Sequence, residues 1–211
     1  MRFQVEAILF DIDGTLVDST PVVERTWRTW AARHGRDAEE FLRVCHGRRS
    51  EDTLALFLPA EQIPAAAAEL EQLELADLDV IALPGTRELL PELPEDRWAA
   101  VTSGSSALMR ARLATAGLPA PRVLIAAEDV SAGKPDPEGY RAAAAALGHD
   151  IARCLVIEDA PAGIRAGRAA GAATLAVATS HEAADLTEAD AVIPDLTRCT
   201  ARSTPDGLLV R

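Results

Sequence analysis

Apolar positions along this chain come in short runs that stop abruptly. The run 5–10 is broken only by Glu6 and ends in Asp11-Ile12-Asp13-Gly14-Thr15. A short run without polar alternation, closed by a polar loop, predicts a parallel strand buried on both faces. Similar runs recur at 98–102, 123–126, 154–157 and 174–177, and 191–193 is a shorter sixth candidate. Helical stretches separate them, at 106–116, 137–147 and 161–170. Strand and helix in alternation predict an α/β fold with a doubly wound parallel sheet, a Rossmann-like core.

Residues 19–83 break that rhythm and show no convincing strand. Ser19 and Thr20 stand as caps before Pro21, which suits the first turn of a helix. Val23, Trp27, Trp30, Ala31 and His34 then fall on one helical face. Further helices are predicted at 39–45, 50–58 and 64–78, and Leu83-Pro84-Gly85-Thr86 marks a turn and a new helix start. The expected organisation is a core of residues 1–18 and 84–211, with a helical-bundle cap inserted at 19–83. The alanine tracts at 65–68 and 142–146 read as helix. Pro205-Asp206-Gly207 in the tail signals a hairpin.

Composition narrows the function. At 48% hydrophobic and 26% charged residues a packed core is available, and aromatic residues are scarce. The net charge of −12 argues against a nucleic-acid partner, since such binding rests on Lys and Arg. No run approaches the ~20 apolar residues of a membrane span, and the N-terminal run is too short for a signal sequence. Cys45, Cys154 and Cys199 have no metal or redox spacing and read as inert thiols. A cytoplasmic monomer is the expectation. Lys134 is the only lysine in an arginine-rich chain. A compact ammonium at that position would fit where a planar guanidinium does not.

The candidate chemistry lies in the loops at the carboxyl ends of the strands, where ligands of open α/β sheets bind. Those positions carry Asp11 and Asp13, then Thr102, Ser103 and Gly104, then Lys134, then Glu158 and Asp159. One carboxylate of the Asp11/Asp13 pair can attack phosphorus, and the other can protonate a leaving alcohol and then activate water. Asp159 adds a third hard oxygen, and magnesium would reconcile these carboxylates with a phosphate. Thr102 and the amides of Ser103 and Gly104 can donate to phosphate oxygens. Lys134 can neutralise phosphate and nucleophile. Gly14 permits a tight turn behind the carboxylates. Each cluster alone could be a helix cap. Four at successive strand ends make a metal–phosphate site.

Phe-Asp-Ile-Asp-Gly-Thr-Leu-Val-Asp-Ser, with Thr102, Lys134-Pro135 and Glu158-Asp159 in order, resembles the four motifs of the haloacid dehalogenase-like hydrolases. The resemblance covers nearly the whole chain, and the helical insertion is similar to that superfamily's C1-type cap. The segments at 46–52, 101–105 and 156–164 are similar to sugar phosphatases and to glycerol- and 2-deoxyglucose-phosphate phosphatases. The resemblance implies a magnesium-dependent phosphatase for sugar or polyol phosphates, with Asp11 as nucleophile and Asp13 as acid/base. It implies metal held by Asp11, the Asp13 carbonyl and Asp159, with Glu158 as support or alternative ligand. A phosphomutase of the β-phosphoglucomutase type and a phosphoglycolate phosphatase share these motifs. Asp13 argues against a dehalogenase, and a cap without lysine argues against a phosphonate hydrolase. His46, Arg48 and Arg49 are the cap residues expected to meet a small phosphorylated metabolite.

Overall fold

Ala7–Phe10 is buried at all four positions, with no side chain reaching solvent, and the fold is built outward from it. The computed structural model describes residues 1–211. The chain runs through β1 (Phe3–Val5), β2 (Ala7–Phe10) and β3 (Val17–Asp18). It then enters α1 (Thr20–Arg33), α2 (Ala38–Leu42), α3 (Ser50–Leu54) and α4 (Ile63–Ala76). It returns through β4 (Ile81–Ala82), α5 (Thr86–Leu89), β5 (Trp98–Val101), α6 (Ser106–Thr115) and β6 (Leu124–Ile125). It closes with α7 (Glu138–Leu147), β7 (Cys154–Glu158), α8 (Pro161–Ala170), β8 (Ala173–Val177), β9 (Ala191–Ile193), β10 (Ala201–Thr204) and β11 (Gly207–Val210).

The main sheet has the order β6-β5-β2-β7-β8-β9, and every pairing is parallel. Strand residues alternate between its two faces. Ile8 and Phe10 join Leu108, Met109 and Leu113 of α6 on one side. Ala7 and Leu9 join Tyr140, Ala143 and Ala144 of α7 and Ala166 of α8 on the other. The alanine tract of α7 therefore packs as well as coils: its small side chains let the helix lie close on the sheet. Both faces being covered explains the unbroken apolar runs.

The structure corrects the first predicted strand. Glu6 divides it, because a carboxylate at that point faces Arg153 at 2.6 Å and His149 at 3.4 Å instead of the apolar layer. Upstream of that break, β1 leaves the main sheet and pairs antiparallel with β11, which also pairs with β10 in the predicted tail hairpin. Residues 19–83 are also not free of strand. Ile81–Ala82 pairs antiparallel with Val17–Asp18, so the two crossings between sheet and helices are tied together.

Helices α1–α4 have their own core, centred on Trp27, Trp30, Phe41, Leu54 and Leu70. Trp27 stacks on Phe41 at 5.3 Å, and Trp30 meets it edge-on at 5.4 Å. Four helix ends differ from the periodic reading, the second helix stopping at Leu42 rather than 45. Ser19 makes no side-chain capping bond to α1. The third helix stops at Leu54 and continues as turns. The fourth stops at Ala76, where the Asp77 carboxylate takes both Arg25 and the amide of Asp79 and turns the chain. The three cysteines are free and buried, as inert thiols require, and burial pushes Cys45 and Cys154 up to about 12. No helix is long and apolar enough to cross a membrane. Phe41→Ala empties the centre of the helical core and should cost about 3–5 kcal/mol, read as a lower urea midpoint at unchanged slope.

Candidate active site

Asp11 is the residue after β2, and the sheet holds it as if it were still in the strand. Its amide donates to the Ile157 carbonyl at 3.0 Å. The chain then turns tightly, with the Thr15, Leu16 and Val17 amides all donating to the Ile12 carbonyl. Gly14 sits at φ +83°, and a Cβ there would collide with the Asp159 carboxylate. Only glycine permits both that backbone and that approach. Asp159 is thereby brought beside Asp11, where it accepts Thr15 Oγ1 at 3.1 Å and the hydroxyl of Ser180.

Lys134 reaches this point from the loop after β6. Its buried ammonium donates to Asp11 Oδ1, pairs with Glu158 Oε1 at 2.6 Å and donates to the Val101 carbonyl at 3.3 Å. Three N–H donors meet three acceptors. Glu158 is fully buried and equally committed. Its Oε1 also accepts the Tyr140 hydroxyl at 2.7 Å, and its Oε2 accepts the amides of Asp159 and Ala160. A Cβ on Gly163 would overlap it, so the first turn of α8 is cut away to admit the carboxylate. Glu158 thus anchors Lys134 and the start of α8, and leaves Asp11 and Asp159 with the freer oxygens.

Burial sets the electrostatics. It pushes Asp11 well above the ordinary carboxylate range, Lys134 opposes this, and Glu158 and Asp159 add to it. Asp159 is pushed up to about 7 by burial and by Glu158, against Ser180, Lys134 and Thr15. For Lys134 burial works downward, yet Asp11 and Glu158 outweigh it and raise the group. Oxygens of Asp11, Glu158 and Asp159 lie within 4.8 Å of one another. With all three ionised, three carboxylates against one ammonium leave an excess of two negative charges. A hard divalent cation fits that donor set and that imbalance.

Asp13 points elsewhere than the charge cluster. Its Oδ1 lies 2.9 Å from Nη1 of Arg112, a side chain of α6 with 2% exposure. The Nη2 of the same guanidinium donates to Glu74 Oε1 of α4, also at 2.9 Å. One cavity is lined by Asp11, Asp13, Thr102, Ser103, Gly104 and Asp159. From the helical side His46, Arg48 and Glu74 are among the residues that line it, with Val23 and Trp27, so two of the three expected cap residues are brought in. The third, Arg49, is held by Asp52 at 2.8 Å and donates to the Val130 carbonyl, away from this lining. Gly104 donates its amide to Thr102 Oγ1, and Ser103 Oγ donates to the Gly47 carbonyl at 3.1 Å, joining the cradle to the cap loop.

A family model for haloacid dehalogenase-like hydrolases matches residues 5–171. The chain belongs to that family. Hexitol phosphatase A of Escherichia coli (strain K12) is 43% identical over 208 residues, 96% of each chain. A 2-deoxyglucose-6-phosphate phosphatase of Saccharomyces cerevisiae (strain ATCC 204508 / S288c) is 34% identical over 236 residues, spanning 100% of this chain and 96% of its own. Among solved structures, a hydrolase from Pseudomonas syringae superposes with a TM-score of 0.82 at 27% identity, over 90% of this chain and 94% of that one. The motif resemblance and the α/β fold read from the sequence therefore hold, and the chain is a hydrolase.

Four residues of the site are missed by the sequence reading: Tyr140, Ser180, Glu74 and Arg112. Tyr140 lies inside an alanine-rich helix and reads as core. Ser180 comes after β8 at a strand end, the one signal that could have found it. Glu74 and Arg112 are charges on helices, where solvent exposure is the ordinary outcome. Metal occupancy is testable without turnover. A divalent cation at a hundred times its dissociation constant should stabilise the fold by about 2.7 kcal/mol. The thermal shift on adding magnesium should appear in the native protein and vanish in Asp159→Asn.

Proposed function

We propose that this protein is a magnesium-dependent phosphatase of small sugar or polyol phosphate monoesters, with Asp11 as nucleophile. The observation that carries the reading is the buried Asp11 carboxylate, held on Lys134 and open to the same cavity as Asp13, Thr102 and Ser103. Relatives such as hexitol phosphatase A point to the same substrate class.

Asp11 attacks phosphorus; an Asp11 oxygen–phosphorus bond forms as the bond to the leaving alcohol breaks. Asp13 gives its proton to the departing oxygen. It then takes a proton from a water that attacks the aspartyl phosphate, which frees orthophosphate and restores Asp11. Thr102 and the Ser103 amide face the phosphoryl oxygens, and Lys134 offsets charge on nucleophile and phosphate. Magnesium held by Asp11, the Asp13 carbonyl and Asp159 would neutralise the transferring phosphoryl group. Residues 19–83 act as the cap: the paired β3 and β4 form its double stem, and closure would exclude water and bring His46 and Arg48 to the substrate.

Asp11→Asn should lose phosphate release by at least about a thousandfold, measured with any accepted ester, because the nucleophile is gone. Lys134→Arg keeps the charge yet should lose most activity, since a planar guanidinium does not fit the slot between Asp11, Glu158 and the Val101 carbonyl. Phosphorus NMR with a hexose 1-phosphate separates this reading from a mutase: orthophosphate appears, whereas a 6-phosphate without orthophosphate would contradict it.

A further inference from the structure

The group made by the buried Arg112 and the partly buried Asp13 and Glu74 does more than the reaction requires. Arg112 comes from the sheet domain and Glu74 from the helical side, and both line the cavity with Asp13. The guanidinium meets one carboxylate on each side at 2.9 Å. Once Asp13 has given up its proton, two carboxylates against one guanidinium leave this corner with a net negative charge. Burial raises Glu74 and Arg112 opposes it, while Asp13 adds to the rise. Three polar positions remain open. Arg112 Nε is a buried donor and Asp13 Oδ1 a buried acceptor without a hydrogen-bond partner, and the second carboxylate oxygen of Glu74 accepts no hydrogen bond from the protein.

This corner lies on the leaving-group side, because Asp13 must reach the departing oxygen and Arg112 touches Asp13. The other guanidinium of the lining, Arg48, is carried by the cap loop. It comes directly after Gly47, whose carbonyl takes Ser103 Oγ, and a Cβ on Gly47 would meet Ala160. The backbone of Arg48 is therefore next to the loops after β5 and β7. The cation in contact with Asp13, Arg112, is already paired with two carboxylates.

Resting on the phosphatase reading above, we propose that Glu74 is a specificity-determining residue that selects neutral, hydroxyl-bearing leaving groups and rejects anionic ones. A substrate hydroxyl can donate to the free Glu74 oxygen and accept from Arg112 Nε. A carboxylate or second phosphate placed there would meet the Glu74 carboxylate, whose one cation, Arg112, is already shared with Asp13. Like charges brought together in a site from which water is excluded are strongly disfavoured.

The test uses a matched pair, glycerol 3-phosphate and 3-phosphoglycerate, which differ by a hydroxymethyl group against a carboxylate. The native enzyme should prefer the first by at least about a hundredfold in kcat/KM, the scale of discrimination a like charge produces. Glu74→Gln should lower that ratio by at least about tenfold, with 3-phosphoglycerate gaining in absolute terms. Glu74→Asp keeps the charge and should keep the preference for the neutral ester, which separates charge from packing. A native enzyme that treats the two esters alike, or a ratio unmoved in Glu74→Gln, overturns the inference while leaving the phosphatase reading intact, provided p-nitrophenyl phosphate is hydrolysed. No release from any of the three esters overturns both.

Discussion

The site depends on one ammonium group in a dry slot. Lys134 holds Asp11 with one N–H and Glu158 with another, and the third goes to the Val101 carbonyl. Without that charge, Asp11, Glu158 and Asp159 would crowd three carboxylates at adjacent strand ends with nothing from the protein to oppose them. Buried ions of one sign are tolerated only when paired and hydrogen-bonded. The surroundings show how much structure is committed to this. Tyr140 and two amides complete Glu158, Thr15 and Ser180 complete Asp159, and glycines at 14 and 163 clear the space. The remaining imbalance is what a divalent cation would answer.

A parallel sheet makes this concentration of charge possible. Asp11 comes after β2, Thr102 after β5 and Asp159 after β7, three strands that lie side by side in the order β5-β2-β7. Residues 91 and 57 positions apart in sequence, Asp11 to Thr102 and Thr102 to Asp159, thus reach one cavity. The backbone ladder extends beyond the strands to fix them: Asp11 donates to Ile157 and Thr102 to Ile125. The cap is joined to the same apparatus at two points, the Ser103–Gly47 bond and the Glu74–Arg112–Asp13 bridge. On the proposed roles of Glu74 and Asp13, substrate choice and proton transfer would share a boundary.

The core of this arrangement was legible in the sequence because strand ends are marked by an abrupt change from apolar to polar. Asp11, Thr102 and Asp159 each come at such a change, and the lone lysine stands out against twenty-one basic residues in all. Legibility failed where a residue's role depends on its tertiary partner. Glu6 reads as a blemish in one strand and is the divide between two sheets. Ile81–Ala82 is too short to announce a strand and exists by pairing with Val17–Asp18. Arg112 sits on a helix whose neighbours give no hint that its charge is turned inward. Arg49 is adjacent to Arg48 and reads in sequence as an equal substrate contact, but Asp52 three residues on holds it aside.

The proposed reaction requires the Asp11 carboxylate to become covalently phosphorylated. Borohydride reduces an acyl phosphate to an alcohol, so quenching a turning-over sample with it should convert residue 11 to homoserine. Peptide mass spectrometry with and without a sugar or polyol phosphate then reads the outcome. Homoserine is expected at position 11 only when substrate is present, with Asp13 unmodified in the same sample. Substrate turnover with no reduction at position 11, or reduction at another carboxylate, would contradict it.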